Sequence, residues 1–209
     1  KQTSRNNDRN PEWPARLQKD PENSLWSRQI RRRLTGEMLR DTLLTASNSL
    51  NNRKGGPGVR PPLPKEITST LLRNQWPVSK DEADHRRRSI FLFARRNLRY
   101  PLFELFDRPA LAETCAHRKI STTAPQSLAL LNSEFARNAA QRLSVHLTGN
   151  ARSPRDRIVL CYQLTLGRTP RPAELAAALE LMAGAQNPRQ GLADLSLAIF
   201  NLNEFLYID

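Results

Sequence analysis

Proline placement constrains this chain more than any other feature. Fifteen prolines in 209 residues exclude a coiled coil or one long uninterrupted helix, because each ring fixes φ and removes a backbone donor. In the second half the prolines stand where helices accept them. Thr123-Ala124-Pro125-Gln126 reads as a capping box with proline just inside the helix start. Leu128, Leu131, Phe135, Ala139 and Leu143 would form the buried stripe of one long helix behind it. Ser153-Pro154-Arg155-Asp156 opens the next helix and Gly167 closes it. Helices at Pro172–Met182 and Leu192–Phe200 complete a helical half.

The first half is less regular. Residues 1–22 are polar and hold Pro11, Pro14 and Pro21, so they read as an extended arm with Trp13 as an anchor. From Asn23, the spacing of Leu25, Trp26, Ile30 and Leu34 predicts a helix. A second helix is expected from Thr35 as N-cap to about Leu50, burying Met38, Leu39, Leu43, Ala46 and Leu50. Residues 51–64 carry three Gly and four Pro and form a loop. That loop lacks the Gly-Lys-Ser/Thr ending of a nucleotide cradle. Lys65–Trp76 and Pro101–Phe106 read as short helices, and Asp107–Ile120 as a long loop. Ser89–Arg95, with Ile90, Phe91, Leu92 and Phe93 in succession, is the one strand candidate, paired with the arm or the Val59 region. The expected architecture is mainly α: an irregular helical domain over 23–209 with at most a small β element near residues 59 and 89–95.

Charge divides the same two halves. Residues 1–100 hold 22 Lys and Arg against 10 Asp and Glu, and residues 101–209 hold 11 against 10. A basic half at 23–110 therefore precedes a neutral helical half at 111–209. Arg outnumbers Lys 27 to 6. Guanidinium keeps its charge when desolvated and pairs oxyanions in two-pronged fashion, although a GC-rich genome gives the same bias. The densest cluster is Arg86, Arg87, Arg88, Arg95, Arg96 and Arg99, flanking the apolar run. These six are the candidate ligand-binding residues, for a polyanion or for acids of a neighbouring domain.

Enzymatic motifs are sparse. His85, His117 and His146 are scattered, and Cys115-Ala-His117 is the only start of a metal site, short of the four ligands zinc wants. No metal is expected. No Cys-x-x-Cys-His occurs, so this segment attaches no c-type haem, and no cofactor is expected in it. Cys115 and Cys161 fit either a disulfide in an oxidising compartment or two free thiols. Glu104, Asp107 and Glu113 are the acids that would serve a glycosidase, though capping and Arg pairing account for such acids more simply. Tyr100 and Phe103 are not interleaved with the arginines as stacking platforms would be, which argues against nucleic acid. No fully apolar run exceeds five residues, the length of Ile90–Ala94, far short of the ~20 residues of a membrane helix. One internal echo stands out: Ser127–Phe135 (SLALLNSEF) resembles Ser196–Phe205 (SLAIFNLNEF) with one insertion.

Several segments together resemble a known family: RRRL at 31–34, GGPGVRPPLP at 55–64, RRSIFLFARRNLRYPLFELFD at 87–107, TTAPQSLALLNSEF at 122–135, LTLGRTPRPAEL at 164–175 and FNLNEFLYID at 200–209. In this order they resemble the planctomycete-type domain of unknown function 1553, over about Pro21 to Asp209. The resemblance implies a C-terminal module of a large exported protein, periplasmic or at the cell surface. It also implies that haem belongs to a cytochrome-c-like segment elsewhere in the parent chain, and that the other domains of that chain are partners. LGRTP…EL…NEF is similar, over a shorter span, to a helical module of surface-layer and other extracellular proteins. Two positions depart from the expected pattern: Arg171 stands at a helix cap where Thr, Ser or Asp is expected, and Glu134 where Pro is expected. The leading expectation is a non-catalytic docking module. The alternatives are part of an enzyme acting on sulfated or uronic polysaccharide, and a nucleic-acid-binding domain.

Overall fold

The computed structural model describes residues 11–26, 31–72, 75–110 and 114–208. Its helical half follows the capping signals closely. Thr123 caps α5 (Ala124–Asn132), Ser133 caps α6 (Glu134–Asn150) and Ser153 caps α7 (Pro154–Leu166). Gly167 ends α7 at φ 64°, the left-handed conformation glycine adopts without penalty. Next come α8 (Pro172–Ala183) and α9 (Pro188–Phe200). Arg171 does precede α8 and supplies no side-chain cap; Glu174 at N3 provides the reciprocal half of a capping box, its carboxylate accepting the Arg171 N–H at 2.7 Å. The single helix expected from Thr123 is instead two. Ser133 takes an extended conformation and its hydroxyl accepts the Ala136 N–H. That break rotates the stripe, so Leu130 is buried while Leu128 and Leu131 are exposed.

The core lies between α6 and α9, with α7 and α8 against them. Leu143, Leu147, Ile158, Leu192 and Phe200 are fully buried there, and each such side chain contributes ~1.5–3 kcal/mol. Helix α2 (Gly36–Ala46) joins this core through Leu39 and Leu43. Thr35 caps it as expected, but it stops short of Leu50 and leaves Met38 exposed. Where α2 meets α4 (Pro101–Leu105), Gly36 is required: a Cβ there would lie 2.9 Å from Phe103 Cα.

The basic half departs further from expectation. The supposed extended arm contains α1 (Trp13–Lys19), and its residues 1–10 and the side chain of Trp13 lie outside what is described. The helix expected from Asn23 is not formed at 23–26, where Asn23 and Trp26 adopt positive φ. Leu25 and Trp26 are exposed rather than packed, and Ile30 lies outside the described residues. Lys65–Trp76 shrinks to α3 (Lys65–Thr68). Ser89–Phe91 is a 3-10 turn, not a strand. Within the run, Leu92 forms a parallel bridge to Val59, with the Val59 N–H donating to Phe91 O and the Phe93 N–H to Val59 O, and Arg95 forms a local antiparallel bridge to Leu98. Among the described residues the one sheet is elsewhere: β1 (Arg32–Arg33) runs antiparallel to β2 (Tyr207–Ile208), which follows α10 (Asn203–Leu206). The structure is mainly α-helical, and none of its described helices is long and apolar enough to cross a membrane.

The echo also has a structural form. Both copies are the end of a helix, a short extended break, and a new helix whose first turn carries Glu-Phe: Glu134-Phe135 in α6 and Glu204-Phe205 in α10.

Candidate functional site

A half built from loops leaves many backbone carbonyls without helical or sheet partners, and buried carbonyls need donors. Three buried arginines supply them. Arg40, on the apolar face of α2 with Gly36, Leu39 and Leu43, is fully buried. It donates to His85 O at 2.6 Å, Arg87 O at 2.8 Å and Ser89 Oγ at 3.2 Å. Its guanidinium lies 5.9 Å from the Tyr100 ring and 5.6 Å from the Phe135 ring. Arg33 donates to Ser121 O, to Gln126 Oε1 at 2.8 Å and to Asp107 Oδ2 at 2.6 Å. Arg87 donates to Arg53 O and Gly55 O and stacks on Phe91 at 4.3 Å. The glycine-rich loop thus wraps a guanidinium of its own chain, with Gly55 and Gly56 at positive φ to turn around it.

This arrangement divides the six candidate arginines. Arg87 is buried and committed to the loop, with Asp84 4.0 Å from its guanidinium, so it is withdrawn from the surface. Arg86 is half-buried, and its carbonyl accepts the Asn51 N–H. Arg88 is exposed, 3.7 Å from Asp41 Oδ2. The other three share one turn. Arg95 donates to the Gln75 carbonyl, Arg96 is exposed, and Arg99 approaches Glu104 at 3.4 Å. Arg95 and Arg99 line a small concavity with Phe93, Leu98, Tyr100 and Arg108. Arg108 had no signal in the sequence, because α4 and the turn after it bring it back. Its guanidinium stacks over Phe103 and sits 3.6 Å from Glu37. Beside the concavity Arg60 covers the Phe93 ring at 3.9 Å, and Trp76 meets that ring edge-on. Among the described residues Arg60, Arg95 and Arg96 form no ion pair with a carboxylate.

The acids do not converge on this face. Asp107 turns inward to Arg33 and Ser121. Burial raises its pKa, but the Ser121 and Arg33 hydrogen bonds outweigh that and hold the carboxyl below its usual value. Glu104 is exposed beside Arg99, and Glu113 lies outside the described residues. Glu37 is likewise lowered: burial pushes it up, and the bidentate contact with Arg118 pulls it further down.

Cysteine and histidine form no cluster that could hold a metal among the described residues. Both cysteines are free thiols. Cys115 is exposed, while Cys161 is buried against Ser196, where burial pushes its pKa up to about 11.

The segment LGRTP…EL…NEF makes an ion clamp. Arg168 bonds both oxygens of Glu174 (2.6 and 2.7 Å) and both of Glu204 (2.6 and 2.7 Å). It fixes the α7–α8 turn to α8 and α10, and its hydrogen bonds hold the Glu174 carboxyl down to about 2. In the same way TTAPQ delivers Gln126 to Arg33 and to the Leu105 carbonyl. Much of what carries the family resemblance is therefore internal scaffolding. A second, shallow groove of about 380 Å³ runs between the end of α6 and α7, lined by Asn150, Arg152, Asp156, Leu160 and Gln163.

The family described as "Protein of unknown function (DUF1553)" matches residues 2–182. The match takes in residues 2–20, ahead of the motifs noted above, and ends before FNLNEFLYID. No curated protein and no solved structure matches the chain.

Proposed function

From the premise that the chain belongs to this family of proteins of unknown function, we propose a non-catalytic interaction module of an exported multidomain protein. It docks an anionic polysaccharide through the arginine face around Phe93 and Tyr100. The supporting observation is the convergence of Arg95, Arg99 and Arg108 on one concavity, with Arg60 and Arg96 beside it. Guanidinium in such a setting recognises sulfate and carboxylate through paired N–H donors. Two further observations favour this reading over its rivals. Asp107 and Glu104 are committed to different partners, which is no arrangement for acid–base chemistry across a sugar. The Phe93 ring is already covered by Arg60 and abutted by Trp76, so it offers no free platform for a nucleic-acid base.

The test is a binding panel of sulfated polysaccharide, polyuronate, neutral glycan and duplex DNA at low and physiological salt. Wild-type protein is expected to retain a sulfated or uronic glycan at physiological salt. The triple variant R95Q/R96Q/R99Q should lose that binding and its salt dependence should flatten. Equal, salt-labile binding to every polyanion, or none, would refute the proposal.

A further inference from the structure

Resting on that docking reading, we infer that Arg60 is the oxyanion reader of the arginine face. Its guanidinium takes one sulfate or carboxylate group of the polysaccharide side-on, through paired N–H donors. Arg60 lies in GGPGVRPPLP, the motif whose Gly55 already serves Arg87. Its backbone is fixed on both sides. Val59 before it is bridged to the 91–93 segment, giving its N–H to Phe91 O and accepting the Phe93 N–H, both at 2.8 Å. At residue 60 itself the N–H donates to Ser79 Oγ and the carbonyl accepts the Ser79 N–H, both at 2.9 Å. Pro61 after it keeps Arg60 extended, and the Pro61 carbonyl accepts Trp76 Nε1–H at 2.8 Å.

The far end of the side chain is held as well. The guanidinium lies 3.9 Å from the centre of the Phe93 ring, and Trp76 meets that ring edge-on at 6.3 Å. Arg33, Arg40, Arg87, Arg108 and Arg168 also lie over aromatic rings, but each gives N–H groups to an oxygen acceptor or approaches a carboxylate. The Arg60 guanidinium has neither among the described residues. Contact with a ring occupies a face of the guanidinium, whereas its five N–H donors lie in the plane and stay open. The neighbours on this face differ: Arg95 is tied to Gln75 O, Arg99 approaches Glu104, and Arg96 is exposed with no ring to hold it among the described residues. A guanidinium already held loses less entropy on binding, and its fork matches two oxygens of one carboxylate or sulfate.

The experiment uses dextran sulfate and polygalacturonate as probes of the whole chain at physiological salt. Affinity is measured for wild type, R60K, R60Q and R142Q, the last removing one exposed charge from α6. In parallel, wild-type protein is modified with phenylglyoxal, and the label on each arginine is read by peptide mass spectrometry with and without glycan. R60K keeps the charge but not the fork, so R60K and R60Q should each weaken the bound glycan about 10-fold. R142Q should weaken it no more than about 2-fold. Glycan should slow labelling of Arg60 and leave Arg142 unchanged. That readout needs no variant, so it holds even if a substitution at residue 60 disturbs the packing on Phe93. The glycan that protects Arg60 names the group: sulfate for dextran sulfate, carboxylate for polygalacturonate. R60K binding as tightly as wild type, or Arg60 labelled equally with and without bound glycan, would overturn the fork and leave the docking face standing. No binding of either glycan to wild type would overturn both.

Discussion

Arg40→Met removes the donor that organises the 85–89 turn while keeping an unbranched side chain of similar length on the apolar face of α2. The loss is set by what the guanidinium holds. Arg87 O at 2.8 Å would lose its donor in a buried site, and His85 O at 2.6 Å in a half-buried one. Ser89 Oγ would not be orphaned, because it still bonds Asp41 at 2.6 Å. Each buried carbonyl left unpaired costs ~1–3 kcal/mol. Against this, the variant no longer buries a charge whose Nε finds no acceptor among the described residues. The net expectation is a loss of about 3 kcal/mol, toward the lower end of the ~3–5 kcal/mol seen when one partner of a buried ionic group is removed. For a chain of 209 residues that is a Tm drop of about 6–12 °C. Urea unfolding followed by circular dichroism would measure it, with R96Q as a surface control expected within ~0.5 kcal/mol of wild type. Arg40→Lys should fall between, since one ammonium cannot hold both carbonyls in the fork geometry. An R40M midpoint equal to that of R96Q would refute the argument that buried arginines order the loop-rich half.

Acid stability should report the Arg168 clamp. Glu174 is held at about 2 against an ordinary 4.5, so its contribution is complete above about pH 4.5 and is lost as pH falls toward 2. Glu174→Gln should flatten that limb of the stability–pH curve, and an unchanged limb would show that the clamp adds nothing. Gly36→Ala places a methyl 2.9 Å from Phe103 Cα and 3.0 Å from Leu102 O, both main chain. Overpacking of ~1–3 kcal/mol should therefore exceed the helix-propensity gain of ~1 kcal/mol; a Tm equal to or above wild type would mean that α4 simply moves aside.

What could be read from the sequence was short-range. Thr35, Ser153 and Gly167 act on backbone within four residues of themselves, and each does in the structure what its residue type predicts. The break at Ser133 was equally local, but a continuous apolar pattern hid it. The misread run at 89–95 is different in kind. Its aromatic and β-branched content favours a strand, yet Asp41 takes the Ser89 N–H at 2.7 Å and Arg40 takes the Arg87 carbonyl. Those contacts come from a helix more than 40 residues away, and they curl the segment into a turn. Burial of arginine was hidden for the same reason: Arg87 looks like its neighbours until Gly55 closes over it. The visible clue was Arg40, which interrupts the Gly36, Leu39, Leu43 stripe and so had to be buried on that face. The concavity combined both cases, with Arg95 and Arg99 named by local charge density and Arg108 supplied only by the fold.

The family match stops at residue 182, but the packing does not. Helix α9 buries Leu192, Ala193, Leu195, Ser196, Ile199 and Phe200 against α6 and α8. Beyond it, α10 and β2 join the two halves. Phe205 packs on Phe200, Glu204 completes the Arg168 clamp, and Leu206 O accepts the Leu34 N–H ahead of the β1–β2 pair. Ending the chain after Met182 should therefore leave no cooperative unfolding transition, since the two-layer contact of α6 with α9 is gone. Ending it after Leu202 should be milder: the buried Phe205 and the Glu204 bonds are lost, about 3–5 kcal/mol on the scale of a large side chain removed from a core. The arginine face would feel this second truncation indirectly. β1 would lose its partner strand and Arg31 its Tyr207 ring, while Arg33 would keep Asp107 and Gln126. Hydrogen exchange is then expected to rise at residues 31–34 while the amides of α6 and α9 stay protected. If a chain ending at Met182 unfolds as cooperatively as the full one, the matched region is the folding unit and α9 is an accessory to it.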